Sequence, residues 1–211
     1  ARTRFDHFFL GELARTRHDY KAALSHYQDA LQVDPDDYWS LNMIGYCHMH
    51  SQQPAAAAAA YTACIARRPD VFWPYLVRAY ALSELQQFEQ SQRDFDKAFE
   101  LAPNSYFVFL NRGFVRLKQK DFDAAQADFT KAAELRPDLS APHENLADVS
   151  RLRGRELVVS NLPDGVVRAA AEFQTSLAEL TKAIPLSPQQ GRLYFARGLI
   201  RVMLSDPKSA L

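Results

Sequence analysis

YWSLNMIGYCHMHSQQPAAAAAAYTACIARRPDV, residues 38–71, is the stretch that decides the fold. Two apolar blocks at helical spacing, LNMIGYCHM and AAAAAAYTACIA, flank a polar turn, and Pro69-Asp70 follows the second block. Such a pattern predicts two helices joined by a short connection. The stretch is 34 residues long, and its landmarks return at that interval on either side. Prolines stand at Pro35, Pro69, Pro103 and Pro137, and small residues at Gly11, Gly45, Ala79, Gly113 and Ala147. A third column reads Ala23, Ala57, Ser91, Ala125; a fourth is aromatic, Tyr27, Tyr61, Phe95, Phe129; a fifth reads Ala30, Cys64, Ala98, Ala132. A fixed period of this length signals stacked units, none of which can bury its apolar face alone.

Working outward, the columns resume after residue 150 with an offset of 51, from Ala147 to Gly198, Ala125 to Ser176, Ala132 to Ala183 and Pro137 to Pro188. That is one period plus 17, so 17 extra residues interrupt the fifth unit between Ser150 and Ser176. The units run over about 4–37, 38–71, 72–105, 106–139, 140–190 and, in part, 191–211. The last stops at Ser209-Ala210-Leu211, where a second helix has barely begun, which predicts a piece of a longer protein; Arg197 would find its acidic partner beyond Leu211.

The 211 residues are 47% hydrophobic, enough for a core, and carry 25 basic and 25 acidic side chains. This balance removes the broad attraction that nucleic-acid or anionic-membrane binders show. No window approaches the ~18 apolar residues of a membrane span, and neither phosphate loop nor nucleophile elbow occurs. Cys47 and Cys64 fit no zinc spacing; a reduced state and a cytoplasmic setting are expected.

The spacing of Leu10-Gly11, Ala23, Tyr27, Ala30 and Pro35, repeated in the later units, resembles the tetratricopeptide repeat. The resemblance covers nearly the whole chain and implies an all-α, right-handed superhelical solenoid of antiparallel helix hairpins, about five and a half repeats, whose first helices line a concave face. Departures are Arg78 and Arg112, standing where the first units have Leu10 and Ile44, and Pro185 late in a second helix. Each arginine is followed sixteen residues on by an aspartate, Asp94 and Asp128, predicting an ion pair within each hairpin.

The second residue of each first helix gives an aromatic column, Phe5, Trp39, Trp73 and Phe107. Three and seven residues later on the same stripe come Phe8 and Glu12, Asn42 and Tyr46, Leu76 and Tyr80, Leu110 and Phe114, then Glu144 and Asp148. Two readings of the column stand: filler between repeats, or a groove for an extended peptide or amphipathic helix with apolar anchors. On the groove reading the acidic pair Glu144 and Asp148 favours a basic residue at one end of the ligand. Family members that clamp a C-terminal carboxylate place lysine, asparagine and arginine where this chain has Phe8, Glu12, Trp73 and Val77, so that mode is not expected; Asn42, Asn111 and Asn145 remain candidates for a ligand backbone.

The insertion offers a second candidate. Asn161, Pro163, Asp164 and Gly165 read as a turn beside Arg151, Arg153, Arg155 and Arg168, either a plain extension of two helices or a contact loop for an acidic or phosphorylated partner. His48-Met49-His50 puts its imidazoles in different directions on a helix, so neither metal nor cofactor is expected. The sequence therefore predicts a non-catalytic scaffold with a protein or peptide partner. The alternative is a regulatory segment of a larger enzyme, such as a signalling kinase or glycosyltransferase; self-association through the unprotected end is a further expectation.

Overall fold

The computed structural model describes residues 2–160 and 162–205. Among them stand eleven helices and no strand: α1 Arg4–Thr16, α2 Tyr20–Val33, α3 Tyr38–His50, α4 Pro54–Arg67, α5 Phe72–Glu84, α6 Phe88–Leu101, α7 Tyr106–Lys118, α8 Phe122–Leu135, α9 Ser140–Val159, α10 Gly165–Leu186 and α11 Gly191–Ser205. The described residues up to 103, with α1 to α6, form one compact unit, and those from 104 on, with α7 to α11, another. The fold class is the expected all-helical repeat type. The reading placed on Ser209 to Leu211 lies outside the described residues.

One turn geometry makes the first four hairpins. His18, Gln52, Gln86 and Lys120, one period apart, hold positive φ of 57–62°. The next residue in each case donates its N–H to a carbonyl five residues back: Asp19 to Ala14, Gln53 to His48, Gln87 to Leu82, Asp121 to Arg116. This left-handed closure satisfies carbonyls left over at the end of the first helix. Asp19 and Asp121 then cap α2 and α8 by accepting from the N–H of Ala22 and Ala124, and Pro54 opens α4. At the far ends Asp34, Arg68, Ala102 and Arg136 take φ near −140° and positive ψ, as a following proline demands.

Within each hairpin the small column meets the aromatic one. Tyr27, Tyr61, Phe95 and Phe129 are at most 1% exposed. A methyl group on Gly11, Gly45 or Gly113 would stand 2.5–2.8 Å from the ring opposite. In the third hairpin, where Ala79 replaces glycine, the Ser91 hydroxyl donates to the Ala79 carbonyl at 2.7 Å, and Ser176 does the same to Ala147 at 2.8 Å in the fifth.

The insertion is an extension of both helices. Compared with the 13-residue α1 and 14-residue α2, α9 has 20 residues and α10 has 22. The connection 160–164 is two residues longer than 17–19, so seven, eight and two account for all 17. The added turns carry their own close approach: Gly154, seven residues past Ala147, lies against Phe173, seven before Leu180, with a methyl on Gly154 only 2.6 Å from the ring. Pro185 sits inside the last turn of α10, which closes one residue later. On α11, Leu193 and Ile200 are buried against α9 and α10, whereas Tyr194, Phe195, Leu199 and Val202 are exposed.

Because Phe173 is fully buried, Gly154→Leu has no room to relax and should lower the urea midpoint of unfolding, at a cost of about 1–3 kcal/mol, with the helical far-UV signal retained before the transition.

Candidate peptide-binding site

The aromatic column lies outside the core. Phe5, Trp39, Trp73 and Phe107 are 58%, 63%, 36% and 39% exposed, against the fully buried second-helix aromatics. Each occupies the first turn of its helix, and in three of them the next residue takes the packing: Ser40 after Trp39, Pro74 after Trp73 and Val108 after Phe107 are fully buried. In the first unit Phe5, Trp39 and Trp73 are equivalent by repeat and share one face of the α1, α3 and α5 series; the Arg4 guanidinium covers one side of Phe5 at 4.5 Å.

The middle of the stripe behaves differently. Asn42, Leu76 and Asn145 are buried, so the structure withdraws them from the expected ligand surface. Phe8 packs on Tyr27 at 5.6 Å between ring centres, Leu110 joins the cluster around Phe129, and the Asn111 amide donates to the Phe107 carbonyl at 2.8 Å. At the third position Phe114 is exposed and Tyr80 half-buried. Tyr46 lies beside His50 at 4.2 Å and under Arg15 at 5.5 Å.

Glu12 is engaged within its own hairpin. It accepts from Arg15 at 2.7 Å and from the Tyr27 hydroxyl at 2.6 Å. The Arg15 hydrogen bond, with help from Tyr27, holds the Glu12 carboxyl below the usual range, while burial and then Glu12 raise the Tyr27 phenol. The acidic end is also compensated: Glu144 accepts from the Ser140 hydroxyl at 2.8 Å and pairs with Arg192 of α11 at 2.8 Å, and Asp148 pairs with Arg151. A basic ligand residue would have to displace these partners, which weakens the expected preference for one.

The arginines of the insertion do not form a single patch. Arg151 serves Asp148, Arg168 stands 4.0 Å from Asp164, and Arg153 reaches Asp123 at 2.8 Å and Glu172 at 3.3 Å. Asn161 lies outside the described residues. Arg155 instead helps line a cleft of about 350 Å³ whose floor is Leu117, Phe122, Leu152 and Val159 and whose rim includes Lys120, paired with Glu156 at 2.6 Å. Arg155, Glu156 and Val159 belong to the added turns of α9, so the insertion builds this cleft. Sequence reading missed it because Leu117 and Phe122 come from the preceding hairpin.

The hairpin ion pairs form as expected. Arg78 holds Asp94 with two hydrogen bonds of 2.7 Å, and Arg112 holds Asp128 at 2.8 and 3.0 Å with Arg116 adding a third at 2.8 Å. Burial pushes the Cys47 thiol up to about 11 and the Cys64 thiol up to about 12, so both are protonated at neutral pH, as the expected reduced, unreactive state requires.

This is a helical-repeat interaction scaffold in its architecture. A sequence profile described as tetratricopeptide repeat matches residues 10–71, and a second matches residues 74–105 and 108–139. The chain belongs to the tetratricopeptide-repeat family. No curated protein matches it in sequence at a level that indicates kinship. It is similar in structure to TTC0263, a thermophilic TPR protein of Thermus thermophilus, with a TM-score of 0.72 at 20% identity over 95% of this chain and 100% of that one. YrrB, a TPR protein with an unusual peptide-binding site, gives 0.58 at 16% over 92% and 91%. Human IFIT1, solved as a dimer with m7Gppp-AAAA, gives 0.72 at 12% over 91% of this chain and 44% of that one. At these identities the likeness is one of fold. No helix among the described residues is long and apolar enough to cross a membrane.

Removing one partner of a buried pair strands the other. Arg78→Met should therefore cost about 1–3 kcal/mol in denaturant unfolding by leaving the buried Asp94 carboxylate without its fork, whereas Arg112→Met costs less because Arg116 still reaches Asp128. Adding Asp94→Leu to Arg78→Met should recover most of the loss.

Proposed function

We propose that this chain is a non-catalytic scaffold that captures an apolar peptide or amphipathic helix of a protein partner on the aromatic column Phe5, Trp39 and Trp73 of the first helices in residues 1–103. The observation that carries the reading is the exposure of Phe5, Trp39, Trp73 and Phe107 at one repeat position while a separate aromatic column fills the core. Large aromatics left in water at a fixed interval are candidate hot spots, since tryptophan and tyrosine dominate binding energy in desolvated interfaces. Phe8, Glu12, Tyr46 and Tyr80 border that column and shape what fits beside it, and in the second unit Leu110, Asn111 and Phe114 stand in the same relation to Phe107. The even balance of 25 acidic and 25 basic side chains favours a protein over a nucleic acid. The reduced, buried thiols support a cytoplasmic setting, and the exposed apolar residues of α11 support self-association at that end.

Trp39 and Trp73 are the only tryptophans, so intrinsic fluorescence reports on the column directly. Peptides selected from a random library on the protein should carry aromatic or aliphatic anchors and shift tryptophan emission to the blue on binding. Trp39→Ala/Trp73→Ala should weaken them by about thirtyfold or more, the ~2 kcal/mol of a hot spot, with helicity unchanged. Peptides that bind wild type and double variant equally would dismiss the reading.

The cleft of the extended fifth hairpin favours a second reading. An apolar floor with Arg155 at the rim, beside the mutually compensated Lys120 and Glu156, fits an aliphatic segment carrying an acidic residue. Selection on the double tryptophan variant should yield such peptides, and Arg155→Glu should cost them at least about tenfold; retention of full affinity refutes the cleft as their site.

A further inference from the structure

The first hairpin gathers two histidines and a carboxylate across its helices. His7 of α1 and His26 and Asp29 of α2 present ring nitrogens and a carboxylate oxygen that all lie within 4.8 Å of one another. The three residues are partly buried. Nδ1 of His7 and Nδ1 of His26 are both shielded from solvent and neither has a hydrogen-bond partner within the protein. Asp29 Oδ2 is 3.5 Å from His7 Nδ1, too far for a good hydrogen bond. A buried polar atom left unpaired costs about 1–3 kcal/mol, so two at one place call for a shared partner.

Comparison along the repeat sharpens this. His26 falls in the column that continues as Ala60, Asp94, Asp128 and Glu179. Wherever that column is acidic, a basic side chain of the first helix meets it: Arg78 on Asp94, Arg112 on Asp128, and His143 on Glu179 at 2.7 Å. His143 is itself the repeat equivalent of His7, and Asp29 is equivalent to Lys97, Lys131 and Lys182. The first hairpin thus reverses the local polarity. It sets two imidazoles and an acid where the third to fifth hairpins set an acid and a lysine.

We propose that His7, His26 and Asp29 bind a divalent transition-metal cation of the Zn²⁺ class, clipping α1 to α2. Imidazole nitrogen and carboxylate oxygen are ligands for such ions at about 2.0–2.2 Å. The edge of a tetrahedron of that size is about 3.4 Å, which the His7–Asp29 separation already matches. His26 and Asp29, three apart on α2, share a helix face, and the His26 nitrogen lies within 4.8 Å of the other two donors. Three protein donors leave a fourth position for water. Mg²⁺ and Ca²⁺, which demand oxygen ligands, are disfavoured.

Chelator-treated protein freed of any histidine tag, titrated with Zn²⁺ by calorimetry, should bind one ion per chain, show no heat with Mg²⁺, and melt at a higher temperature with Zn²⁺ present. His26→Ala and Asp29→Asn should each weaken binding at least about tenfold, the loss that removal of even an outer-shell partner brings, and His48→Gln/His50→Gln should leave it unchanged. Absence of stoichiometric Zn²⁺ binding, undiminished binding in His26→Ala, or loss on altering His48 and His50 would each overturn the proposal. If His26→Ala fails to fold, as far-UV circular dichroism would reveal, His7→Gln decides by the same criterion.

Discussion

The close approach of a small residue on the first helix to an aromatic ring on the second governs the geometry of this protein. At Gly11, Gly45 and Gly113 the ring opposite leaves no room for a methyl group without movement, so helix backbone and ring face are in direct contact. The left-handed closures at His18, Gln52, Gln86 and Lys120 bring the second helix back at the height where this contact forms. The interruption of the fifth unit obeys the same constraint. Seven added residues are close to two turns of α-helix, so Gly154 emerges on the face of Ala147 and Phe173 on the face of Leu180. An insertion out of phase with the helix would have turned a charged face into the seam.

In the third, fourth and fifth hairpins the column just ahead of the core position, Asp94, Asp128 and Glu179, forms a second, polar level. These side chains reach across to the first helix close to the seam, where burial makes an unmatched charge costly. Asp94, Asp128 and Glu179 are each met from the first helix, by arginine, arginine and histidine. The apolar contact fixes distance, and the polar one matches each acid to a basic side chain of its own hairpin's first helix. His26 occupies this level with a different chemistry, which is why its surroundings stand out against the repeat and not against an average protein.

Most of the fold was legible because repetition supplies its own internal comparison: five columns in one register define helix, turn and seam before any contact is known. Exposure along the first-helix stripe was less legible. Asn42 and Leu76 share a face with Trp39 and Trp73, yet the former are covered and the latter open. Helical phase alone cannot separate them, since coverage depends on how far along the axis the neighbouring helix reaches. Asn145 was misread for the same reason, and Glu144 because its partner Arg192 lies in the next repeat. The His7, His26 and Asp29 cluster is not legible along any one helix, because its members come from two.

Separation of the two aromatic columns has an energetic consequence. Tyr27, Tyr61, Phe95, Phe129 and Phe173 carry the burial that holds the hairpins, so substitution there is felt through the whole seam. Phe5 and Trp39 keep more than half of their surface in water and contribute correspondingly little to folding. A repeat built this way can vary its first-turn aromatics with small effect on stability. What such residues cost is solubility, because exposed rings in series invite association. Their presence at a constant repeat position, in a chain whose core is already filled, is the observation on which the proposed capture of a partner rests.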